Sequence, residues 1–153
     1  QATPPPYANA RAWDVAMADS LTAAGWPQDS VAMTCHYIKC FAPAMDEDNQ
    51  RIRDLDRIVQ LCRQRGWRLV MHILPDNEEQ MSRLVGQRLV QILRDNGRYV
   101  QQRYEEMGAT VVNNQGLLPD STFTERNYPT EHYTQEGRLA VAKAIAAIRE
   151  SEK

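Results

Sequence analysis

Long apolar runs are missing from this chain. No stretch approaches the ~20 apolar residues that cross a bilayer, so no transmembrane segment is expected and the chain reads as soluble. Charge of one sign is not in excess either: 18 Lys+Arg stand against 20 Asp+Glu, with no basic run. Phosphate backbones are held by clustered cations, so nucleic acid is not an expected partner. Cysteine is scarce, with only Cys35, Cys40 and Cys62. An odd count cannot complete a disulfide framework. The C-x4-C spacing of Cys35 and Cys40 lacks a second ligand pair for zinc, so the thiols read as small buried hydrophobes. No Gly-rich phosphate loop follows any apolar run, and no H-x-H or H-E-x-x-H spacing occurs. Neither a nucleotide, a metal nor another cofactor is therefore expected.

What is present is enough for one domain with its own core, at 153 residues. Residues 1–7 open with Gln1-Ala2-Thr3-Pro4-Pro5-Pro6, an extended segment that cannot nucleate a core. It reads as a linker or mature N-terminus, following a removed export signal or an upstream domain. Residues 8–153 read as a single α/β domain, or as the C-terminal part of a larger one.

Hydrophobic spacing predicts a helix over 8–24, with Trp13, Met17, Leu21 and Ala24 on one face and Gly25 at its end. Ser30–Ile38 is short, mostly apolar and β-compatible, and is expected as a buried strand. Asp46 is expected to cap a helix carrying Ile52, Leu55, Val59 and Cys62 that stops at Gly66. Trp67–Leu74 follows as a second strand, and Pro75-Asp76-Asn77 breaks it. A long helix then starts near Glu78, is expected to be interrupted at Asn96-Gly97, and ends at Gly108. Ala109–Asn113 is a third strand. Thr134 is expected to cap a last helix whose buried face includes Leu139, Ala142, Ile145 and Ile148.

That order, α-β-α-β-α-β-α, implies a small parallel sheet with right-handed crossovers and helices on both faces, a three-layer α/β/α sandwich. Sites in such sheets lie beyond the carboxyl ends of the strands. Those ends carry His36, Asp76, Asn77, Asn113 and Asn114, and the loop holding His132 can join them. His132, in a Pro-containing loop just ahead of a helix, is placed to act as a general base. His36, with Thr34 and Tyr37, is a candidate for substrate binding. Asn77 can donate to an oxyanion or cap the next helix. Asn113-Asn114 can bind substrate or merely end a strand. His72, central in an apolar strand, reads as a hydrogen-bonded core residue. Arg126 and Arg138 flank His132 and can hold an anionic substrate or the carboxylate of Glu131.

The run Leu69–Asn77 ahead of a long helix, together with the late Glu131-His132-Tyr133 and Gly137-Arg138, resembles the C-terminal half of the SGNH/GDSL hydrolase-like family. The likeness covers roughly residues 31–150 and points to the envelope branch that includes the D-alanyl-transfer protein of lipoteichoic acid synthesis. It implies a flavodoxin-like α/β/α sandwich with ester hydrolysis or acyl transfer on a glycan or acyl ester substrate. It also implies a periplasmic or extracellular location. In that family a late histidine activates a serine and an asparagine helps bind the oxyanion. Here the position three before His132 is Pro129 rather than aspartate, which leaves Glu131 as the acidic neighbour. The serine block is matched only by Ala18-Asp19-Ser20-Leu21-Thr22, which lies in a helical pattern and makes Ser20 the candidate nucleophile. A serine block upstream of Gln1 is the other possibility. A non-catalytic binding or structural module of the same fold is the alternative to an enzyme.

Overall fold

The computed structural model describes residues 9–124 and 132–150, with side chains as far as Ile148. Asn9 caps helix α1 (Ala10–Ala23), its side chain accepting from Ala12 N at 2.9 Å. Gly25 ends the helix with φ +82°, a conformation that suits glycine and matches its expected place. Pro27, which stops α1, is also the N-cap of α2 (Gln28–Phe41).

Here the sequence expectation fails: residues 31–38 are helix, not strand. Val31, Met33, Cys35 and Tyr37 are all buried, which mimics the two-residue alternation of a strand, but Thr34 between them is buried too. The helix packs against α1, α4 and α5, so apolar residues are needed around much of its circumference. Asp29 in the first turn and Lys39 in the last suit the helix dipole, and Lys39 Nζ donates to Asp14 Oδ2 across to α1 at 2.9 Å.

Asn49, not Asp46, caps α3 (Gln50–Gln64), accepting from Arg51 N. Strand β1 (Val70–Ile73) then pairs in parallel with β2 (Thr110–Asn113), Val70 facing Thr110 and Ile73 facing Asn113. The crossover between them is α4 (Glu78–Leu84) and α5 (Gln87–Glu106). The break falls at Gly86, whose φ of +116° and ψ of 166° only glycine adopts readily. Asn96-Gly97, the expected interruption, lies inside α5: a Cβ on Gly97 would come within 2.0 Å of Gln115 Oε1, so this glycine serves close approach rather than a bend. A short 3₁₀ turn (Asp120–Thr122) precedes α6 (Gln135–Glu150). Thr134 caps α6 as expected, its Oγ1 accepting from Gly137 N.

With the first expected strand gone, the three-layer α/β/α sandwich is not present. Among the described residues the chain is mostly helical, with one two-stranded parallel sheet. Two cores hold it together. Met33 and Tyr37 of α2 meet Met81 of α4 and Leu89, Val90 and Leu93 of α5. Val59 and Tyr104 meet Ala109 and Val111, with Leu69, Met71 and Ile73 packed alongside. The second core is bordered by the ion pair of Asp56 and Arg103, two parallel hydrogen bonds at 2.9 and 2.7 Å that tie α3 to α5. Hydrogen bonding from Arg103 holds the Asp56 carboxyl below the usual carboxylate range. No described helix is long and apolar enough to cross a membrane.

Candidate functional site

Beyond the carboxyl end of β1 lies a cleft of about 420 Å³, walled by α2, the following loop, α5 and Gln115. Its lining is mostly apolar, with Phe41, Met45, Leu93 and Val100, and its polar groups include His36, Arg51, His72 and Asp76. A concave, mostly apolar cavity with a few convergent polar groups is the usual form of a small-ligand site.

His72 projects from β1, and its Nε2 lies 2.8 Å from Asn114 Nδ2. An amide nitrogen can only donate, so Nε2 accepts and the ring is neutral, its proton on Nδ1. Burial acts in the same direction, pulling the His72 pKa below its ordinary value. The core reading of His72 therefore holds for its hydrogen bond, while the ring also lines the cleft. His36 reaches the same cleft from α2 rather than from a strand end, with Nδ1 3.6 Å from Cys40 Sγ. Cys40 was not singled out by sequence; its position four residues after His36 becomes a signal only once the segment is known to be helical. All three cysteines are free thiols, Cys35 buried and the other two half-buried.

A second polar group forms a rim beside Pro75-Asp76-Asn77. Asn77 caps α4, accepting from Gln80 N at 3.0 Å, and its Nδ2 donates to Asp120 Oδ1 at 2.8 Å. Arg83 donates to the same oxygen, and Asp120 N donates to Glu79 Oε1. The capping reading of Asn77 is the one realised, and both ends of its amide are engaged. Tyr133, next to His132, joins this rim, its hydroxyl donating to Pro75 O at 2.8 Å. His132 itself is exposed, and its carbonyl accepts from Thr124 N at 2.9 Å.

The other sequence candidates lie elsewhere. Ser20 is exposed on α1, which packs on α2, and it does not line the cleft. Thr34 is buried in α2 and does not line the cleft. Asn113 bonds Gln101 and Gln115 N on the far side of α5. Arg138 is exposed and donates to Tyr133 O at 3.1 Å, a local contact at the start of α6. Glu131 and Arg126 lie outside the described residues. Among the described residues no group of three or more His, Cys, Asp or Glu side chains is placed to hold a metal ion.

The two depressed pKa values set an acid limb. The neutral His72 ring and the ionised Asp56 are both favoured by folding, so their contribution is present above the unfolded pKa values and lost as pH falls through the folded ones. Urea midpoints should drop in two stages on acidification, first as His72 protonates below its unfolded value of about 6.5 and then as Asp56 does below about 3.9, each by a small amount because both groups are partly solvated. A His72→Gln chain should lack the upper stage; an unchanged profile would remove His72 from this account.

No protein-family model matches the chain, and neither a curated protein nor a solved structure matches it.

Proposed function

We propose that the protein is an ester- or acyl-handling module at the cell envelope, and that it acts by holding its ligand in the cleft beyond β1. The acyl part lies against Phe41, Met45 and Leu93, and the carbonyl end meets Arg51 and the histidine rings. The reading is carried by that cleft, lined by apolar side chains with a few polar ones and located where parallel strands end. It draws further support from the tether between Tyr133 and Pro75, which brings Tyr133, next to His132, to the same strand end. Ser20 has no part in it, since it is an exposed hydroxyl on α1 that does not line the cleft.

Titration of the labelled protein with ethyl butyrate, followed by amide chemical shifts, tests the reading. Shifts should gather at His36, His72 and Gly97, persist in Ser20→Ala, and vanish in Met45→Trp, where an indole fills the cleft. Shifts confined to other surfaces, or a fluorophosphonate label on Ser20, would overturn it.

A further inference from the structure

We propose that Cys40 is a nucleophile, with His36 as its base, that accepts an acyl group from an activated ester or thioester bound in the cleft. The proposal rests on the ester-handling reading of that cleft and adds a covalent step to it. Helical spacing of four residues puts the two side chains on one face of α2, and Sγ lies 3.6 Å from Nδ1. Both are half-buried and both line the cavity, so the pair meets a space a ligand can fill rather than bulk solvent or the core. The His36 ring is positioned by Phe41, edge-on at 6.4 Å between centroids. Arg51 lines the same cleft, and its guanidinium is the available donor for the oxygen that gains charge when the carbonyl is attacked.

The other two cysteines serve as internal comparisons. Cys35, on the same helix, is buried, and its thiol is pushed up by desolvation, which leaves it an inert core group. Cys62 on α3 is half-buried like Cys40 but has no histidine contact among the hydrogen bonds of the described residues.

The step balances as follows. His36 Nδ1 takes the thiol proton as Sγ bonds to the carbonyl carbon; the C–O or C–S bond of the donor breaks; the leaving alcohol or thiol takes the proton from His36. Cys40 is left as a thioester, which water or an acceptor hydroxyl then cleaves, returning the thiol. A plain alkyl ester lies below a thioester in energy, so the donor class is an aryl ester or another thioester.

The test incubates the full chain briefly with p-nitrophenyl butyrate near neutral pH, followed by intact mass and peptide mapping. One acyl group should appear on Cys40, roughly tenfold or more faster than on Cys62 in the same molecule, and His36→Gln should slow it by a similar factor. The ratio within the wild-type chain decides the matter even if the His36 substitution disturbs α2. Equal acylation of Cys40 and Cys62 would overturn the proposal. So would no adduct on Cys40 while ethyl butyrate still shifts the cleft amides, a result that leaves the binding reading intact. Absence of both adduct and shifts would remove the two together.

Discussion

Replacing Tyr104 by alanine should remove about 3–5 kcal/mol of folding stability, the cost of a large cavity in a core that cannot close over it. Tyr104 is fully buried between α3, α5 and the sheet, and its hydroxyl donates to Ile52 O at 3.1 Å. Tyr104→Phe keeps the ring and loses the hydroxyl's bonding to Ile52 O and Asp56, at about 1 kcal/mol or somewhat more. Denaturant titration should show the midpoint falling in this order with the slope unchanged. Burial, with Asp56 adding to it, pushes the Tyr104 pKa up to about 12. The protonated form is thus favoured by folding, and its contribution is present below the unfolded value of about 10 and lost as pH rises from there. Tyr104→Phe should abolish that alkaline loss. A Tyr104→Ala chain as stable as the wild type would mean that the second core is not where the stability lies.

Asn77 should show the next largest effect. It is 3 % exposed, caps α4, and donates to the Asp120 carboxylate. Asn77→Ala loses the cap and a charged hydrogen bond at once, about 2–4 kcal/mol in all. Asn77→Asp keeps the cap but sets a carboxylate against Asp120 Oδ1 at the place where the amide donated. Like charges raise the pKa of that pair in the folded state, so the variant should be weak at about pH 7 and recover as acid protonates one partner. Thermal melts across pH measure this. Equal stability of Asn77→Asp and wild type at neutral pH would show that the Asn77–Asp120 contact contributes little.

How much of this was legible depends on the segment. The helix ends at Gly25, Gly66 and Gly108 follow from the positive φ each adopts, and Thr134 was readable as a cap from its place before an apolar face. β1 and β2 were readable as apolar runs behind glycine-terminated helices. Residues 31–38 were not, because an α-helix packed on several sides carries the same near-continuous apolar run as a buried strand. That one substitution of helix for strand removes the sandwich. It also changes the site: on a strand His36 and Cys40 do not share a pair contact, whereas on α2 they touch. Gly97 gave no local warning either, since its partner Gln115 is brought to it by tertiary packing. Of the strand-end residues expected to meet, His36 and Asp76 line the cleft, Asn114 bonds His72, and Asn113 bonds Gln101 and Gln115.

The parallel pairing of β1 with β2 carries a consequence for the order in which the chain acquires its structure. Every residue from Leu74 to Ala109 has to be made before β2 exists, so β1 leaves the ribosome with Met71 and Ile73 unshielded and waits for its partner. The helical contacts of α4 with α5 are short in sequence and can form during that wait, while the strand pairing closes a loop of about 40 residues and comes later. The interval between synthesis of Ile73 and synthesis of Thr110 is thus the time when this protein is most open to misassembly, and α3, already made and carrying Val59, is the surface available to cover β1 through it.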